Sequence, residues 1–157
     1  MSVESTTEIV VHRSVTVPIE PARAFTLFTE QMTAFWPPEH SIGAAAIAEV
    51  VVEPRAGGRW FERGTDGVEC AWGRVAVWEP PGRLVLLWQI GADWQFDPEL
   101  ETEVEVTFVE DAPGHTRLDL RHRHLERYGD QADTFRGIFE SPGGWSGTLA
   151  RFAEIVD

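Results

Sequence analysis

An α+β fold is predicted for this 157-residue chain: a curved seven-stranded antiparallel sheet closed by a C-terminal helix. Three features carry the prediction. Apolar residues recur with period two from about residue 46 to residue 124, as half-buried strands require. The alternate positions are charged, which points to antiparallel pairing with one wet face. The last third of the chain returns to a helical apolar repeat. A single domain over 9–157 is expected, preceded by a loose polar tail at 1–8.

Residues 9–17 read as the first strand, with Ile9, Val11, Val15 and Val17 in one phase. Pro18 ends it, and Pro21 suits the first turn of a helix. Phe25, Phe28, Met32 and Phe35 then recur at helical spacing. The Pro37-Pro38 pair stops that helix, leaving Trp36 and PPEHSIG (37–43) as a connection. Strands are expected at 46–53, 58–63, 68–78, 83–90, 101–110 and 115–124. Between them lie PRAGG (54–58), GTDG (64–67), EPPG (79–82) and DAPG (111–114), all turn chemistry. Thr102, Val104, Val106 and Phe108 share one face, with Glu101, Glu103, Glu105 and Thr107 on the other. Leu118 and Leu120 stand opposite Arg117, Asp119, Arg121 and Arg123. Phe135, Ile138 and Phe139 mark a short helix over 131–140. Ser141 suits an N-cap and Pro142 a first helical residue. Trp145, Leu149, Phe152 and Val156 then give an amphipathic closing helix, roughly 20 Å long at about 1.5 Å per residue. Such a helix touches a curved sheet along one line. The gaps at its sides either fill with bulky side chains or persist as a cavity.

Twenty-six acidic residues against thirteen basic ones give a net charge of −13. The basic footprint a nucleic-acid binder needs is missing, and anionic membrane surfaces repel such a chain. With Cys70 as the one cysteine, an internal disulfide and a cysteine-based zinc site are ruled out. Cys70 reads as a small buried hydrophobe. MSVESTTEIV has no basic start or apolar run. No stretch approaches the ~18 apolar residues of a membrane span. A cytoplasmic location is the expectation. No cofactor is implied, and a homodimer is compatible with the sequence.

Seven tryptophans are the most unusual compositional feature. Large aromatics either fill a core or line a pocket for a hydrophobic guest. Trp36, Trp72, Trp88 and Trp145 sit on elements expected to face a cavity. Phe28, Trp60, Phe108 and His122 complete the candidate ligand-binding set. His122 and His124 share the phase of Leu118 and Leu120, so both are expected to point inward. Inward histidines can transfer protons or start a metal site. A zinc site needs further ligands, and His40, Glu62 or Glu69 would have to supply them. No spacing forces that geometry, so no metal is assigned. Glu62 and Glu69 flank the GTDG turn; facing each other across the hairpin they would form an acid/base pair, but the exposed face is the expectation, as unpaired charges are seldom buried. If Trp60 points inward, Glu62 follows it and needs a partner such as Arg74 or a ligand group. His122, His124 and Glu62 are thus the candidate catalytic residues. GG at 57–58 joins two strands and opens no helix, so it is a turn or bulge, not a phosphate loop. Gly143 and Gly144 are placed in a first helical turn, where close approach of helix to sheet explains them.

Several stretches together resemble the START-like (SRPBCC) superfamily, the helix-grip fold of the birch-pollen allergen. They are PIEPARAFTLFT (18–29), FWPPEHSIG (35–43), EPRAGGRWFERGTDG (53–67), WGRVAVWEPPGRLVLLWQI (72–90), TRLDLRHRHL (116–125) and GGWSGTLARFAEI (143–155). Within it the chain is similar to the branch named after the activator of heat-shock-protein ATPase. The resemblance implies a sheet gripping its C-terminal helix around a cavity. Its members include ligand carriers, polyketide aromatase/cyclases, resistance proteins, lyases and co-chaperones. Binding of a small hydrophobic or aromatic molecule is therefore the first expectation. An enzyme of the cyclase, dehydratase or hydrolase type, using His122 with a nearby carboxylate, is the second. A stress-related, co-chaperone-like interaction module is the third.

Overall fold

The computed structural model describes residues 8–37 and 40–156. The expected tail, apart from Glu8, and Pro38 of the proline pair lie outside the described residues. Strand β1 (Val11–Val17) leads into helices α1 (Pro21–Glu30) and α2 (Met32–Phe35). Six strands follow: β2 (Ile47–Val52), β3 (Arg59–Gly64), β4 (Glu69–Glu79), β5 (Arg83–Trp88), β6 (Thr102–Ala112) and β7 (His115–Arg123). A 3-10 helix (Leu125–Gln131), α3 (Ala132–Glu140) and α4 (Trp145–Val156) complete the chain.

The strands form one antiparallel sheet in the order β1-β7-β6-β5-β4-β3-β2. Six of them, β2 to β7, are sequential antiparallel neighbours, while β1 returns to pair with β7. Register shifts interrupt β2–β3, β3–β4, β4–β5 and β6–β7. Each such bulge bends a strand and increases its twist, so the sheet curls around the helices. This is the helix-grip α+β fold.

Inside the curl, alternation sorts the side chains as the pattern predicts. Val104, Val106, Phe108, Leu118 and Leu120 are buried. Phe28 meets Phe35, Phe108 and Phe152 with ring centroids 5.1, 5.8 and 5.5 Å apart. This cluster welds α1, α2 and α4 to the sheet. On the outside, arginines on β3, β4 and β5 pair with glutamates on neighbouring elements: Arg59 with Glu69, Arg74 with Glu101 and Arg83 with Glu105.

Two local expectations are corrected. Ser141 does not cap the closing helix; it follows α3, and its hydroxyl donates to the Ile138 carbonyl at 2.7 Å. The closing helix starts at Trp145 and its twelve residues span about 18 Å. Gly143 and Gly144 therefore lie in the turn between α3 and α4. A Cβ on Gly144 would run into the Phe139 carbonyl oxygen. Its missing side chain makes that turn tight and has nothing to do with helix–sheet approach.

Candidate ligand-binding site

Between the β3–β5 end of the sheet and the α3–α4 turn lies a cavity of about 480 Å³, within the ~300–1,000 Å³ usual for small-molecule sites. Trp36, Trp72, Trp88 and Trp145 line it, with Ile42, Ile90 and Phe139. Trp94 and Ile138 stand at its half-open mouth, and His40, Ser41, Ser141 and Thr148 add polar atoms. Among the described residues, His40 is the one titratable side chain on the wall.

The backbone explains how β4 delivers Trp72. Trp60 pairs with Gly73 and Phe61 with Ala71, so Trp72 is the extra residue of a bulge. The bulge re-aims a side chain inward. It also brings Gly73 against β5 so closely that a Cβ there would overlap the Leu87 carbonyl oxygen. Trp36 reaches the cavity because α2 ends beside it. Trp88 is the last residue of β5 and Trp145 the first of α4.

The tryptophans hold one another at aromatic contact. Trp36 and Trp72 are 4.6 Å apart, Trp36 and Trp145 5.8 Å, and Trp88 and Trp145 6.0 Å. Each wall indole spends its N–H inside the protein. Trp36 donates to the His40 carbonyl at 3.1 Å and Trp72 to Glu62 Oε1 at 2.9 Å. Trp88 donates to the Tyr128 hydroxyl at 3.1 Å, and that hydroxyl donates to the Ile90 carbonyl at 2.6 Å. Trp145 donates to His122 Nδ1 at 3.1 Å. The rings are thus oriented, and what they offer a guest is π surface and edge C–H, not hydrogen bonds.

His122 is fully buried, one layer behind Trp145. An indole can only donate, so His122 Nδ1 is the acceptor and Nε2 carries the proton. Nε2 then donates to Thr102 Oγ1 at 2.8 Å, which donates to the Trp88 carbonyl at 2.9 Å. Burial with no facing carboxylate pushes the imidazole down to about 3. Both nitrogens are occupied and the ring is neutral, so His122 orients Trp145 and offers no proton acceptor to the cavity. His124 does not point inward. Its left-handed backbone (φ 63°) ends the strand and turns the ring towards Glu103 and Glu126, at 3.7 and 3.5 Å.

Glu62 departs most from expectation, because its side chain is wholly buried rather than exposed. It follows Trp60 inward, but its partner is not Arg74, which lies on the outer face bonded to Glu101 and Gln89. Three N–H groups supply the compensation instead. Oε1 accepts from Ile42 N at 2.7 Å and from Trp72 Nε1, and Oε2 accepts from Gly43 N at 3.3 Å. Glu62 therefore ties the cavity loop at 40–43 to the Trp72 wall. Glu69 stays exposed and pairs with Arg59 and Arg63. Trp60 lies behind the wall, 5.3 Å from Trp72 and 5.7 Å from Trp88, donating to Met32 Sδ. Phe28 and Phe108 belong to the packed cluster below the cavity. Among the described residues, no three His, Cys, Asp or Glu side chains cluster as metal ligands would.

The expected ligand-binding set lacks the polar and mouth residues Ser41, Ser141, Thr148, Ile138 and Trp94, and names His40 as a possible metal ligand alone. Loop and turn residues such as Ser41, Trp94 and Ser141 carry no periodicity to read, while Ile138 in α3 and Thr148 in α4 read as ordinary helix positions. The one available signal was Trp94 itself, a large aromatic in a segment of turn-forming residues.

Fold and site together define a helix-grip domain with an aromatic-walled internal cavity. The chain belongs to the family of activator of Hsp90 ATPase homolog 1-like proteins, whose model matches residues 18–157. It is 38% identical to the anthrahydroquino-γ-pyrone synthase Txn09, over 94% of this chain and 96% of that one, with a TM-score of 0.66. It is 30% identical to CalC, a self-sacrificing resistance protein from Micromonospora echinospora, over 94% of each chain, with a TM-score of 0.71. Aha1 from Colwellia psychrerythraea, solved as a dimer, shares the fold at 10% identity, over 94% of this chain and 96% of that one, with a TM-score of 0.62. No curated protein matches the chain. Among the described residues, no helix is long and apolar enough to cross a membrane.

Proposed function

We propose that the cavity binds a small, mainly apolar aromatic molecule, flat enough to lie among the tryptophan rings. The observation that carries this reading is the internal use of all four wall indole N–H groups. A wall so satisfied rewards dispersion and apolar burial and has no donors to leave unmet when a guest lacks polar atoms. The guest's polar end faces His40 and Ser41 on the mouth loop. Two relatives at 30% identity or more, a synthase and a resistance protein, support a small-molecule role. The net charge of −13 disfavours nucleic acid and anionic membranes as partners.

The test is a tryptophan-fluorescence titration with 1,8-dihydroxyanthraquinone as probe. At ~0.3 kcal/mol per non-hydrogen atom, a probe of about 18 such atoms binds with a Kd on the order of 0.1 mM or tighter. Saturable 1:1 quenching supports the reading, and its absence across a panel of two- to four-ring aromatics refutes it.

A second reading, catalysis on the bound guest, is favoured by the 38% identity to a synthase. Since His122 is committed to Trp145, the general acid or base in this reading is His40. Turnover of a ring-forming substrate that His40→Ala abolishes without weakening binding would establish it.

A further inference from the structure

We propose that Trp94 is a ligand-contacting residue that caps the cavity mouth and selects flat aromatic guests, an inference that rests on the ligand-binding reading above. After β5, an Ile90–Phe96 bridge opens a short hairpin. Its tip is a tight turn over 91–94, closed by Trp94 N to the Gly91 carbonyl at 2.9 Å and by Gly91 N to the Gln95 carbonyl at 2.8 Å. Trp94 then takes a left-handed conformation, φ 60°. In hairpin loops of this length that position is normally glycine, because a Cβ there is strained. Among the described residues, this chain uses glycine at four other left-handed positions, Gly57, Gly67, Gly114 and Gly129, and a non-glycine residue at one more, His124, where β7 ends. At the cavity mouth it uses its bulkiest side chain instead.

Core packing does not account for that choice. Trp94 is 41% exposed, and its neighbours at the mouth and on the hairpin, Ile138 and Phe96, are 39% and 41% exposed. The indole rests on Phe135, with centroids 5.2 Å apart, and also borders the cavity. Phe135 in turn lies flat on Tyr128, at 4.2 Å and 4°. Tyr128 is the residue that receives the Trp88 N–H and bonds the Ile90 carbonyl at the base of the same hairpin. One aromatic stack thus supports both the cavity wall and the cap. A locally unfavourable residue that rests one face on Phe135 and still leaves 41% of its surface open marks a functional position. A flat guest entering beneath Trp94 covers the exposed ring and gains a second aromatic face.

The experiment measures the Kd of 1,8-dihydroxyanthraquinone and the thermal midpoint for wild type, Trp94→Gly, Trp94→Asn and Trp94→Phe. Glycine and asparagine both tolerate the left-handed backbone, so these variants keep the hairpin. Trp94→Gly and Trp94→Asn are expected to weaken binding roughly tenfold, the worth of one aromatic contact, with the midpoint little changed. Trp94→Phe recovers affinity to within about threefold, as one aromatic contact replaces another. Affinity within twofold of wild type for both non-aromatic variants overturns the proposal, as does a Phe variant no better than Gly. A wild type that binds no aromatic probe refutes the parent reading instead, so the two failures are distinct.

Discussion

Glu62 and His122 show how far single residues govern this cavity without lining it. Each is wholly buried, and each accepts an indole N–H from a wall tryptophan. Glu62→Gln places an NH₂ group among three N–H donors, so at least one contact is lost. The expected cost is about 1–3 kcal/mol, read by denaturant unfolding, with faster hydrogen exchange at the Ile42 and Gly43 amides. For His122 the sign follows from its depressed basicity. The unfolded chain takes up a proton near pH 6.5, while the folded imidazole resists until about 3. Stability is therefore full above pH 6.5 and falls as the pH drops towards 3. The fall amounts to something on the order of 5 kcal/mol over the window, since each pKa unit is worth about 1.4 kcal/mol. A His122→Gln variant should show a flatter stability profile between pH 6.5 and 4. An unchanged slope would mean that the imidazole is not the group responsible. Inward direction was legible for His122 from its phase with Leu118 and Leu120. The neutral tautomer was not, because it depends on an indole 23 residues away in sequence. The burial of Glu62 was not legible, because its partners are two loop amides and an indole N–H, which leave no trace in composition.

At the level of elements, periodicity located every strand and most helix positions. The strand predicted at 101–110 is β6 (Thr102–Ala112), with its inward face as read. What periodicity could not show is the bulge at Trp72, since an extra residue alters register without altering residue type. Gly73 pins that bulge against β5. Gly73→Ala should cost about 2–4 kcal/mol and shift Trp72, weakening probe binding in the fluorescence titration. An alanine variant with wild-type stability and affinity would show that the strands separate freely at that point. The α3–α4 turn also departs from the pattern. Ser141-Pro142 carries a strong helix-start signature, yet the chain needs a Gly-Gly turn there to bring Trp145 over the cavity.

Over the molecule as a whole, the division of labour follows the two sheet faces. The outer face is an array of exposed, solvent-screened ion pairs that add little to stability and keep a chain of net charge −13 hydrated. The inner face divides into a packed phenylalanine cluster under α1, α2 and α4 and a tryptophan-walled hollow at the other end. The sequence foretold aromatic richness on cavity-facing elements, but not which rings would pack and which would border open space. That depends on where the short closing helix stops covering the sheet. The most direct measurement is a crystal structure of the protein grown with saturating 1,8-dihydroxyanthraquinone. The account predicts ring density inside the cavity, in contact with Trp36, Trp88 and Trp145. A probe bound only on the outer sheet face, with the hollow empty at saturation, would contradict it.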